Sequence, residues 1–218
     1  MRTVPIIVKN GNKRLHVNCL LDEGSDTSYV NEDVIEALGL HGAKTEINVK
    51  VANDETIRFM SSTFEIGIES MDGQVDTAIT AQSSKKICGE MKPVNWIKIK
   101  QNWHHLKQIH FPKLAPGRKV DILLGADHQE LMYSMKEVVG EHGQPSARLC
   151  PRGWTAIGKI NGTESTGSHH TGFHHTFRSQ QKEHQNKGHH TKINLDEMLK
   201  QFWDLESIGI ISKETSRG

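Results

Sequence analysis

The stretch that decides the fold is Cys19-Leu20-Leu21-Asp22-Glu23-Gly24-Ser25. An apolar run ends in a carboxylate, which stands in a turn that Gly24 makes sharp and Ser25 makes polar. Such an Asp-x-Gly-Ser loop gains a chemistry if it is duplicated. A strand end holds the carboxylate rigidly, and the glycine leaves room for a second identical loop, bringing two carboxylates to about 3 Å apart. Such a pair shares one proton: one member acts as general base on a water while the other, protonated, polarises a carbonyl. Asp, Gly and Ser are also ordinary β-turn residues, so the surrounding sequence has to decide between the two readings.

Upstream, residues 4–8 are rich in β-branched side chains, Asn10-Gly11 is a hairpin signal, and 15–21 follows as an alternating strand. Downstream, 32–38 has a short helical pattern that stops at Gly39. Strand character returns at 47–51 and 57–59 around an Asn53-Asp54 turn, and again at 64–68 and 75–81 around Met71-Asp72-Gly73. Residues 83–119, with Trp96, Trp103 and several basic side chains, are expected to form an insertion packed on the sheet. Val120-Asp121-Ile122-Leu123-Leu124-Gly125 suits a short buried strand, a helix is expected over 129–139, and 147–160, containing Trp154, reads as extended. The expected fold class is all-β, mainly strands with a short helix or two, over residues 1–160.

Past that region the composition changes. Seven of the fourteen histidines fall between His169 and His190 among Ser, Thr, Gln, Gly and Lys, so 161–191 is expected to be a disordered linker. In 192–218, Asn194 can cap a helix whose apolar residues Leu195, Met198, Leu199, Phe202, Trp203 and Leu205 lie at three- and four-residue spacings.

Charge and cysteine content exclude several classes. Lys plus Arg number 27 against 26 for Asp plus Glu, so no net field marks the chain as a nucleic-acid or membrane binder. Cys19, Cys88 and Cys150 are odd in number and contain no CxxC pair, against a disulfide framework or zinc cluster. No apolar run approaches the ~18 residues of a membrane helix, and no signal peptide follows Met1, so an intracellular, cytoplasmic setting is expected. The histidine pairs 169–170, 174–175 and 189–190 suit nonspecific metal capture better than a built site. His104, His105 and His110 beside Lys98, Lys100 and Lys107 read as a solvated basic face over packed tryptophans rather than an RNA contact.

Four segments together, RTVPIIVKNG (2–11), LLDEGSDTSYVNEDV (20–34), VDILLGADH (120–128) and ARLCPRGWTAIG (147–158), resemble the aspartic protease region of Pao/BEL-type retrotransposon polyproteins. LDEMLKQFWDLESIG (195–209) resembles the segment leading into the reverse transcriptase there, which makes 192–218 the truncated start of that region. The resemblance implies a retropepsin-like acid-protease barrel with Asp22 as the catalytic carboxylate. Glu23, Gly24 and Ser25 would complete its loop, Asn53 and Asp54 would form the flap tip, and Leu124 and Gly125 the supporting strand. It implies no cofactor, a homodimer whose two-fold axis passes between paired Asp22 residues, and the chain's own polyprotein as substrate.

Glu23 departs from the pattern. Related retroviral enzymes carry a small hydroxyl residue there that ties the two loops together, and an ionised Glu cannot donate in that way. Two extra carboxylates would also raise the pKa values of the Asp22 pair unless they are turned outward. The rival expectation is therefore a protease-fold domain that is inactive and serves as a binding or scaffold module.

Overall fold

The structure is a computed structural model that describes residues 1–51, 55–89 and 91–160 and the backbone of 178–180. Two strands open it, β1 (Arg2–Asn10) and β2 (Lys13–Leu21), paired antiparallel from Arg2↔Leu21 to Asn10↔Lys13. The predicted hairpin is present, with Gly11-Asn12 rather than Asn10-Gly11 at its centre, and Gly11 takes the left-handed φ of 55° that so short a turn demands. Val4, Ile6 and Val8 are fully buried, a period of two that faces one side of β1 to the core.

After the Asp22 loop come β3 (Tyr29–Asn31) and α1 (Glu32–Leu38). The helix buries Val34, Ile35 and Leu38 and ends where expected, at Gly39, whose φ of 69° lets its amide close onto Glu36. The strands β4 (Thr45–Lys50) and β5 (Thr56–Ser61) make one hairpin, and β6 (Thr63–Ser70) and β7 (Asp76–Ser84) make another. Finally β8 (Ile122–Leu124), the apolar run before Gly125, forms a strand of only three residues.

Six of these strands close a barrel in the order β1-β2-β8-β3-β7-β6, with β6 returning to β1 through Ile6↔Ser70 to Lys9↔Gly67. Its interior holds Val4, Ile6, Val8, Ile66, Ile68, Ile79, Ile122 and Leu124, and α1 seals one side with its three buried residues. Each such aliphatic side chain contributes about 1.5–3 kcal/mol on burial. Cys19 is a fully buried member of this core, as a small apolar residue would be, and Cys19, Cys88 and Cys150 are free thiols. The fold class is all-β.

A second layer lies outside the barrel. The strands β9 (Lys136–Val138), β10 (Ser146–Cys150) and β11 (Gly153–Ile157) form a separate antiparallel sheet. Onto it packs the segment between β7 and β8, which contains α2 (Trp96–Ile99) and short 3-10 turns. Trp96, Trp103, Leu106, Ile109 and Phe111 bury against Ala147 and Ala156, and Trp96 lies 5.9 Å from Phe111, ring centre to ring centre. The insertion 83–119 is thus packed on this small sheet through its tryptophans and on the barrel through Ile87, Cys88 and Met91.

Three expectations change. The helix over 129–139 is absent: a 3-10 stretch, Ala126–Leu131, kinks at His128, and Met135 then donates its amide to Leu149, drawing the chain into β9. The extended 147–160 is a hairpin, β10 and β11, turning at Pro151-Arg152. Within the expected linker, β12 (Arg178–Gln180) pairs antiparallel with β4. The rest of 161–191, and the helix expected in 192–218, lie outside the described residues.

Candidate active site

The Asp22 loop leaves β2 at Leu21, and β2 runs parallel to β8 through Cys19↔Ile122, Leu20↔Leu123 and Leu21↔Leu124. That pairing extends into the loop, because the Asp22 amide donates to Leu124 O at 3.0 Å. Asp22 is half-buried, whereas Glu23 and Gly24 are exposed. The Asp22 carboxylate accepts the Gly24 amide at 3.0 Å through Oδ1, which fixes its side chain over the turn.

Ser25 points inward, 1% exposed, and its hydroxyl donates to Thr27 O at 2.7 Å. Its carbonyl accepts the Ala126 amide at 2.7 Å, so the loop is bonded to both sides of Gly125. The backbone of Gly125 is extended and any residue could adopt it; the requirement for glycine is spatial. A Cβ there would stand 2.7 Å from Thr27 O, 2.8 Å from Thr27 C and 2.9 Å from Ser25 O, all backbone atoms that cannot step aside.

Two residues that sequence reasoning missed complete the brace. Asp127 accepts both the Ser28 amide, at 2.9 Å, and the Ser28 hydroxyl, at 2.7 Å. The Ser28 hydroxyl in turn accepts the Gly125 amide at 3.0 Å. These charge-assisted bonds lock β3's approach to the exit of β8. Ser28 and Asp127 stand 99 residues apart, and nothing in the spacing marks them as partners.

A third missed residue is Arg2. It is 5% exposed, and its Nη1 donates to Glu23 Oε1 at 2.8 Å. Its Nη2 donates to Met132 O at 2.8 Å, and Nε faces Thr155 Oγ1 at 3.5 Å.

An apolar cluster joins the loop's supports to the β4–β5 hairpin: Leu20, Tyr29 and Leu123 from the barrel, with Val120 just before β8, meet Val49, Ile47 and Phe59 from the hairpin. Ile87, Cys88 and Met91 extend it. Burial pushes the Cys88 thiol up to about 12, with the Asp22 carboxylate the next contributor, so Cys88 faces the catalytic candidate as a neutral thiol. The hairpin is described up to Val51, whose amide donates to Glu55 O at 2.9 Å. Asn53 and Asp54, the expected flap tip, lie outside the described residues.

The structure therefore brings together Asp22, Gly24, Ser25, Leu124 and Gly125 and joins Glu23 to Arg2. Trp96 and Trp103 are buried packing residues, as expected, and His105 Nε2 bonds Pro145 O at 2.8 Å. Among the described residues no group of three or more His, Cys, Asp or Glu is arranged to hold a metal ion, and no helix is long and apolar enough to cross a membrane. Comparison with protein-family models, with curated proteins and with solved structures finds no match.

Proposed function

We propose that this chain is half of a retropepsin-like aspartic endopeptidase, completed by a second copy, whose substrate is the retrotransposon polyprotein of which it forms part. The observation that carries the proposal is the bracing of the Asp22 loop. A half-buried carboxylate is held by its own loop amide, backed by Leu124 and a glycine that no other residue can replace, with exposed Gly24 beside it. A plain β-turn needs none of this.

One such loop gives one carboxylate, so the active unit is a dimer with paired Asp22 residues across a two-fold axis. A water between them loses a proton to one carboxylate as its oxygen attacks the scissile carbonyl carbon. The other carboxyl donates its proton toward the carbonyl oxygen. The tetrahedral intermediate then collapses, the leaving nitrogen takes a proton, and the C–N bond breaks without a covalent enzyme intermediate. The apolar cluster beneath the hairpin β4–β5 packs that hairpin against the supports of the Asp22 loop.

Glu23 is one of the grounds for the inactive-scaffold alternative, and the Arg2 ion pair supplies that carboxylate with a counter-charge. The experiment is cleavage of a peptide library derived from the polyprotein, between pH 4 and 7, by the purified chain and by Asp22→Asn. Cleavage that disappears in Asp22→Asn supports the endopeptidase; a folded, dimeric chain without cleavage at any concentration supports the scaffold.

A further inference from the structure

We infer that Arg2 is a positioning residue for the Asp22 carboxylate: it binds the neighbouring Glu23 and cancels a second negative charge that the loop would otherwise present to the catalytic pair. The inference deepens the endopeptidase proposal and rests on it for its catalytic consequence.

The geometry is specific. A surface lysine or arginine that happens to reach a glutamate is worth little, because both side chains keep their water. Arg2 is different, being 5% exposed and aimed by two neutral acceptors from elsewhere in the fold, Met132 O and Thr155 Oγ1. Those oxygens fix the guanidinium plane without neutralising it. Its remaining nitrogen, Nη1, is thereby directed at Glu23 Oε1. The Glu23 side chain is 68% exposed, so it could point elsewhere, and a buried cation without a partner would be costly; the pair is held from the arginine's side.

The charged groups around Asp22 show why this matters. On its own loop stand Glu23 and Asp26, the latter accepting the Thr27 hydroxyl at 3.1 Å. From the segment after β8 comes Asp127, engaged by Ser28. From the insertion comes Cys88, a neutral thiol. Arg2, on β1, is bonded directly to the loop through Glu23. In a dimer each of these is present twice. Without Arg2, the Glu23 charges would make a second ionised Asp22 harder to sustain and move the working pH range upward.

The test is the ionisation of the Asp22 carboxyl carbon followed by NMR in the full chain, for the native protein, Arg2→Gln, Glu23→Gln and the double variant. Arg2→Gln leaves Glu23 uncompensated and should raise the Asp22 midpoint by about half a pH unit or more, whereas Glu23→Gln leaves Arg2 uncompensated and should lower it. The double variant should return to within a few tenths of the native midpoint. A merely structural bridge would not give shifts of opposite sign, and shifts of one sign, or none, overturn the inference. If Arg2→Gln does not fold, Glu23→Gln, altering an exposed side chain, decides alone: an unmoved or raised midpoint overturns it. Because titration needs no turnover, opposite shifts in a chain that cleaves nothing would sink the endopeptidase proposal and leave this inference standing, and unmoved midpoints in a cleaving chain would do the reverse.

Discussion

At the entry to β8, Asn18 and Asn31 hold the chain: Asn18 donates to Lys119 O and accepts the Ala115 amide, its own amide bonds Asp121 Oδ2, and Asn31 donates to Val120 O. At the exit, Ser25, Ser28 and Asp127 hold it through Gly125 and Ala126. Both ends use short polar side chains on buried backbone, because a strand of three residues cannot anchor itself. They differ in what they leave exposed. The entry closes on itself, with Asn18 fully buried and Asp121 4% exposed. The exit carries a half-buried carboxylate and an open Glu23-Gly24 surface. The same bracing chemistry closes on itself at one end and presents a half-buried carboxylate at the other.

Substitutions that separate the two ends sharpen this comparison. The largest effect is expected from Gly125→Ala, whose methyl must displace the backbone of Thr27 and Ser25. It should cost about 3 kcal/mol in denaturant unfolding and abolish cleavage. Asn18→Ala should cost about 2 kcal/mol, since the Ala115 amide and Lys119 carbonyl are left without their partner, while cleavage per folded dimer stays unchanged. Asp127→Asn should cost about 1.5 kcal/mol, because an amide cannot accept both Ser28 donors, but should reduce cleavage more than unfolding suggests. Equal losses of activity at the two ends would break the distinction.

The smallest expected effect is one of pH. Burial holds the Asp121 carboxyl above its ordinary range, opposed by the Asn18 amide and by Lys119. The folded chain then binds this proton more tightly than the unfolded one. Its contribution to stability is full below the unfolded value of about 4 and is lost as pH rises through the higher folded value. Asp121→Asn should flatten that fall in unfolding curves taken across mildly acid pH, and an unchanged slope would remove Asp121 as its cause.

The barrel strands were legible because their residues alternate, and alternation reports a half-buried strand wherever it occurs. The Asp22 loop and its Leu124-Gly125 support were legible for a related reason: apolar strand ends running into Gly, Asp and Ser leave few conformations open. Hydrogen bonds made by single side chains across the fold left no such trace. Ser28 meets Asp127 through the pairing of β3 with β8, 99 residues apart in sequence, and Arg2 meets Glu23 through the far end of the β1–β2 hairpin, where Arg2 lies opposite Leu21; spacing alone names neither partner. Residues 129–139 were misread because isolated helical spacing lost to a stronger long-range demand, the pairing of β9 with β10 through Lys136↔Leu149 to Val138↔Ala147.

Whether two copies of Asp22 make one site is measured by cleavage in mixtures of native and Asp22→Asn chains at fixed total concentration with free exchange of subunits. If both carboxylates are needed, an equal mixture should retain about one quarter of the native activity, because only dimers of two native subunits work. Activity of about three quarters would mean that one Asp22 per dimer suffices, and about one half that each chain works alone; either result contradicts a paired site.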